Sequence, residues 1–305
     1  MSAGLGGGMS PALLDEVRGS ANEDRFRGGW DELRAHPSLS KWVERAQARL
    51  ASTDVKQYRM ERRPDPMLPP VILGTYRWKY NTFIPNSAGA IDTAEGYGYG
   101  RCEELLGEVR DDARVLTKVA RTHMSAASVL RAHARSVQRL GRRPWVYQVH
   151  WPNPAFPVEG TAEGIRKVMT TGGAHHWGVC NMSVCQLVEY ERHVGLPCAT
   201  SQVRLNLAER EALRYHQPWC RDHGITVLAY SPLGQDFRAL RRDYGAALDR
   251  IAGELGCTAA QVALRWVISH SNVHAIVATN DAAHWVENLE AGRMGPLPPN
   301  YMEQL

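Results

Sequence analysis

A chain of 305 residues with 44% hydrophobic and 22% charged side chains has enough apolar material for a full core, which excludes the disordered and fibrous classes. Its 36 Lys and Arg against 32 Asp and Glu leave a formal charge of +4, too mild and too evenly spread for a nucleic-acid groove or an anionic membrane, so a small-molecule partner is expected. No stretch approaches the roughly 20 apolar residues of a membrane span, the first residues have no apolar signal core, and the cysteines lack CxxC or zinc-like spacing; the expectation is a cytoplasmic protein with free thiols and no structural metal.

Residues 1–65 are compositionally distinct. Gly4 and Gly6 to Gly8 mark a loose start, and short amphipathic stripes follow: Leu13, Leu14 and Val17, then Phe26, Trp30 and Leu33, the latter ended by His36-Pro37. Val43, Ala46 and Leu50 share a third face, with Ser38 or Ser40 as its cap. Such stripes predict a helical extension docked on another surface, and Arg62-Arg63-Pro64-Asp65-Pro66 reads as its boundary.

From residue 66 onward short apolar runs alternate with helical stretches. The predicted strands are Val71 to Gly74, Ala90 to Asp92, Val115 to Val119, Trp145 to Val149, His176 to Val179, Ser201 to Val203, Ile225 to Tyr230 and Val273 to Ala278. Helical periodicity fills most gaps, as in Ser125 to Leu140 and Thr258 to Ile268. Parallel strands need crossovers of this length, so the pattern predicts an α/β fold, a (β/α)8 barrel at 66–305, with its chemistry at the carboxyl ends of the strands. The stretch between Gly74 and Asp92 carries Pro85, Asn86, Ser87 and Gly89, which oppose a regular helix. The first crossover helix is therefore expected to be missing or short, with the N-terminal extension covering the bare strand.

Four residues at predicted strand ends suit carbonyl reduction. Asp92 closes one strand, Tyr97 follows on the adjoining loop, Lys118 ends the next strand and His150 the fourth. A free phenol titrates near 10, and an adjacent cation favours its phenolate. Lys118, one of only five lysines in the chain, can be that cation, held by Asp92, while His150 donates to the substrate oxygen as charge develops there.

These motifs resemble the aldo-keto reductase family: Asp92-Thr93-Ala94 through Tyr97-Gly98 is similar to its DTAxxYG, Thr117-Lys118 to its strand-end TK, and His150-Trp151-Pro152 to its HWP. Gly178 to Ser183, Gln202 to Asn206 and Tyr230-Ser231-Pro232-Leu233-Gly234 resemble later motifs, so the likeness runs from Val71 to Leu289. The resemblance implies an NAD(P)H-dependent oxidoreductase that reduces an aldehyde, ketone or imine, with Asp92, Tyr97, Lys118 and His150 catalytic and Tyr97 the general acid. It further implies that Asn181 and Gln202 hold the nicotinamide carboxamide, Tyr230 stacks on the ring, and Ser231 and Leu233 meet the pyrophosphate. Gly74 and Thr75, and at the adenosine end Thr279, His284, Glu287 and Asn288, complete the implied cofactor set.

The sequence departs from the family at Cys180 and Met182, at a shortened connection after Gln235 where a helical pattern resumes by about Ala246, and at 278–288. In many relatives a Lys or Arg in that last stretch grips the 2′-phosphate of NADPH; here stand Ala278, Thr279 and His284, and Asp281 would repel a phosphate. NADPH is the expected cofactor, with NADH or none as alternatives. Tyr76, Trp78, Tyr80 and Trp151 suggest an aromatic wall for an apolar substrate, although Trp78 serves equally to fill the core. Arg121 and His123 are expected in a solvated loop, or else to read a substrate carboxylate. The short connection points to a small biosynthetic substrate. The rival readings are a cofactor-independent lyase, dehydratase or cyclase using the same four residues, and a cofactor-binding regulatory subunit; a monomer or a small homo-oligomer fits either.

Overall fold

Continuous Val, Ile and Leu runs are what strands buried on both faces require, and they supply such strands throughout. The structure, a computed structural model, describes residues 65–76, 78, 88–108 and 112–305, with Tyr58 and Met60. The predicted N-terminal helices, Tyr80 and most of the connection expected to lack its helix lie outside the described residues. Parallel strands β1 (Val71–Gly74), β2 (Ala90–Asp92), β3 (Arg114–Val119), β4 (Val146–Val149), β5 (His176–Cys180), β6 (Thr200–Arg204), β7 (Thr226–Tyr230) and β8 (Val273–Ala278) close a barrel in chain order. Closure is made by β1 against β8, with Ile72 opposite Ile276. The (β/α)8 expectation is met, and the predicted strands agree with these to within a residue at each end.

The helices that follow are α1 (Arg101–Gly107), α2 (Ala126–Leu140), α3 (Val158–Thr170), α4 (Val184–Val194), α5 (His216–Asp222), α6 (Phe237–Leu255), α7 (Ala259–Ile268) and α8 (Ala282–Met294). Reciprocal capping starts three of them: Ser125 with Ser128, Ser183 with Gln186, and Thr258 with Gln261. The helix expected to resume near Ala246 begins nine residues earlier, at Phe237. Asp236 caps it by accepting from Arg238 N at 2.9 Å, and Leu240, Leu248 and Ile251 bury its inner face. Among the described residues no helix is long and apolar enough to cross a membrane.

The barrel interior is layered. Leu68, Ile72, Ala90, Leu116, Val146, Leu228 and Ile276 form a small apolar cluster of their own, apart from the larger core between sheet and helices. Because side chains on one face recur every second residue, the next inward layer on those strands is Gly74, Asp92, Lys118, Gln148, Tyr230 and Ala278. An apolar plug thus supports a polar floor at the carboxyl ends. The opposite end is closed by residues 65–69, where Trp145 Nε1 donates to Pro66 O at 2.8 Å and His274 Nδ1 lies 2.8 Å from Pro69 O.

Candidate active site

Lys118 is fully buried, so its ammonium must find partners inside the protein. Its Nζ donates to Asp92 Oδ2 at 2.7 Å, to Thr93 O at 2.8 Å and to Tyr97 Oη at 3.3 Å. Two consecutive strands and the loop after the first therefore converge on one cation. The half-buried Tyr97 ring stands edge-on to His150, with centroids 5.6 Å apart, and edge-on to Tyr76 at 5.2 Å. The four residues expected at the strand ends are brought together.

The loop bearing Tyr97 is fixed by a residue the sequence reading passed over. Glu95 N donates to Lys118 O at 3.2 Å. Its buried carboxylate accepts from Ala120 N at 2.6 Å, contacts His123 Nδ1 at 2.9 Å and lies 3.6 Å from Arg135. His123 thus belongs to a structural clamp. Arg121, expected in a solvated loop, is 7% exposed and its carbonyl accepts from Asn153 Nδ2 at 2.7 Å. Neither lines the cavity described next.

That cavity, of about 680 Å³, opens at the carboxyl ends of the strands. Of the anticipated residues, Gly74, Tyr76, Asp92, Tyr97, His150, Trp151, Asn181, Gln202, Tyr230, Ser231 and Leu233 line it. Tyr230 Oη donates to Asn181 Oδ1 at 2.8 Å, and Asn181 Nδ2 reaches Cys180 Sγ at 3.1 Å and His150 O at 3.3 Å. Burial pushes the Tyr230 phenol up to about 12, so it remains a donor. Gln148 Nε2 donates to Gln202 Oε1 at 3.2 Å, which orients the Gln202 amide. Asn181 and Ser231 both hold left-handed backbone, at φ 58° and 51°, a conformation that concentrates at binding sites.

Other anticipated residues lie elsewhere. Thr75 is buried behind the cavity, its hydroxyl donating to Thr93 Oγ1 at 2.9 Å. Trp78 is 7% exposed within the main core and donates from Nε1 to Thr279 O at 3.2 Å; of its two expected roles the structure shows the packing one. His284 and Asp281 are exposed at the start of α8, where Asp281 Oδ1 accepts from His284 N at 3.0 Å and caps the helix. Glu287 accepts from Thr258 Oγ1, while Asn288 is buried. The cavity also takes residues the sequence reading missed, among them Tyr99, Arg204, Gln235 and Phe237. Arg204 was legible in principle, since it lies two residues beyond Gln202 on the same strand face. It pairs with Glu209 at 2.9 Å and lies over the Tyr230 ring at 5.6 Å.

A closed parallel barrel whose carboxyl end gathers a buried lysine–aspartate pair, a phenol and an imidazole defines the class. The Aldo/keto reductase family model matches residues 79–305, and the chain belongs to that family. It is 34% identical over 206 residues to a methylglyoxal reductase of Escherichia coli, which spans 65% of this chain and 72% of that protein. Among solved structures, the thermostable aldo-keto reductase Tm1743, in complex with the inhibitor epalrestat, superposes with a TM-score of 0.71 at 28% identity, covering 80% of this chain and 98% of that one. An aldo/keto reductase from Klebsiella pneumoniae in complex with NADP and acetate gives 0.65 at 29% identity, covering 78% and 90%.

Proposed function

We propose that this protein reduces the carbonyl group of a small substrate with hydride from NADPH or NADH, and that Tyr97 supplies the proton. The observation that carries this reading is the buried Lys118 ammonium, shared between Asp92 Oδ2 and Tyr97 Oη at the floor of the cavity. A reduced nicotinamide supplies the hydride. His150, edge-on to Tyr97, helps to hold the carbonyl oxygen, and Tyr97 protonates that oxygen as the negative charge grows. Lys118 steadies the phenolate left behind, and Asp92 keeps the lysine charged and in place.

The cavity residues suit a nicotinamide dinucleotide. Two carboxamides, Asn181 and Gln202, line the cavity beside the Tyr230 ring, polar groups that suit an amide-bearing ring. At Gly74 a Cβ would meet Ile276 Cγ2 at 3.0 Å, so the wall there stays bare backbone. The Klebsiella relative bound to NADP favours NADPH. Against a strong preference stand the absence of Lys and Arg from 278–288 and the Asp281 carboxylate at the α8 N-terminus. The name of the Escherichia coli relative makes an α-oxoaldehyde the first substrate to try. A dedicated biosynthetic substrate agrees with the short turn between β7 and α6.

Tyr97→Phe is the test. Turnover should fall on the order of 10²- to 10⁴-fold, while cofactor binding, followed by tryptophan quenching, changes little. Retained turnover would refute the assignment. Product mass separates this reading from a lyase, since reduction adds two hydrogens and elimination removes water.

A further inference from the structure

The loop after Tyr97 carries a tyrosine in an unfavourable backbone state. Gly98, Tyr99 and Gly100 are all left-handed, with φ of 57°, 57° and 94°. Glycine explains itself at position 100, because a Cβ there would lie 2.5 Å from the Arg139 guanidinium carbon. Tyr99 has no such ground: its Cβ disfavours this conformation, and its ring is 77% exposed, so burial offsets nothing. Tyr215 is equally exposed, but its φ of −137° is ordinary and it lies away from the cavity. Tyr99 lines the cavity. With it stand Tyr76, 49% exposed, and Trp151, and the rings of Tyr76, Tyr97, His150 and Trp151 form a continuous row with successive centroids 5.2, 5.6 and 6.4 Å apart.

We infer that Tyr99 is the outer wall of the substrate subsite and selects carbonyl compounds carrying a flat aromatic or similarly extended apolar body. The carbonyl is directed to Tyr97 while the body covers the faces and edges of Tyr99, Tyr76 and Trp151, removing apolar surface from water. This assignment rests on the reductase reading. In it, the strain at Tyr99 is a local cost in stability, retained because the ring contacts substrate.

The test compares the full-length protein with Tyr99→Asn and Tyr99→Phe, using NADPH and NADH with benzaldehyde, propanal and methylglyoxal. Asn tolerates left-handed backbone and has no ring. In Tyr99→Asn the benzaldehyde-to-propanal ratio of kcat/KM should fall about tenfold, through KM, the scale of one lost aromatic contact. Tyr99→Phe should keep most of the ratio. The melting temperature of Tyr99→Asn should match or exceed that of the parent. A ratio within twofold of the parent, or a lower melting temperature, overturns the inference, the latter because it would make the tyrosine a structural residue. If the parent reduces methylglyoxal but not benzaldehyde, the inference is overturned while the reductase reading stands. If it reduces none of the three with either cofactor, the reductase reading fails instead, and calorimetric binding of benzaldehyde, weakened or not in Tyr99→Asn, decides the subsite by itself.

Discussion

Replacing Lys118 by Met removes the ammonium and keeps most of the side-chain volume, so the loss can be worked from two contacts. Nζ lies 2.7 Å from Asp92 Oδ2 and 3.3 Å from Tyr97 Oη, and the Lys118 and Asp92 side chains are 0% and 3% exposed. Removing one partner of a buried ion pair costs about 3–5 kcal/mol, because the other charge is left unpaired. Adding Asp92→Asn should restore part of that, giving a coupling of about 2 kcal/mol or more in a double-mutant cycle. For the chemistry, a phenolate 3.3 Å from an ammonium gains about 5 kcal/mol at an effective dielectric of ~20. Asp92 offsets some of this, leaving roughly 3 kcal/mol, on the order of 10² in kcat. Urea unfolding measures the first quantity and single-turnover reduction the second. A Lys118→Met protein within about 1 kcal/mol of the parent, or with kcat within about tenfold, would refute the reasoning.

Two further outcomes follow from the site and its surroundings. His216 is buried with Nε2 2.9 Å from Ser201 Oγ, and burial pushes its imidazole down to about 4. Since the unfolded histidine titrates near 6.5, the unfolded chain binds the proton first; this contribution is full above pH ~6.5 and lost as pH falls toward 4, roughly 3 kcal/mol in all. Guanidinium unfolding at pH 7 and 4.5 should show a smaller pH dependence for His216→Gln, and an unchanged slope would contradict the assignment. Asp281, whose carboxyl is held below the usual carboxylate range by the His284 amide, stands where the family resemblance puts the 2′-phosphate. Asp281→Ser keeps a capping oxygen and removes the charge, so the NADPH-to-NADH ratio of kcat/KM should rise several-fold; an unmoved ratio would place the phosphate elsewhere.

How much of this was legible beforehand depends on the length scale of the signal. Strand positions were readable because a strand buried on both faces writes itself as a local apolar run. Asp92, Tyr97, Lys118 and His150 were readable because a charge or phenol ending such a run is conspicuous within a few residues. The α6 start at Phe237 was legible in principle, since Phe237, Leu240, Tyr244, Leu248 and Ile251 recur at helical spacing after the capping Asp236. Glu95 was missed because its partners, Ala120, His123 and Arg135, lie on another loop and on α2.

The barrel, the order of its strands and the ends at which polar groups gather are written in the local pattern of residues, since each depends on periodicities of two or a few positions. Which side chains meet is set by the closed fold. Trp78 and Thr279 are 201 residues apart and hydrogen-bonded, Gln148 and Gln202 are 54 apart and paired across the floor, and Tyr99 is left uncovered at the lip. Those neighbours are set by the register in which eight strands close, with Leu116 opposite Val146, Gln202 opposite Leu228 and Ile72 opposite Ile276. Closure register is a property of the whole ring of strands, and no local window of residues contains it.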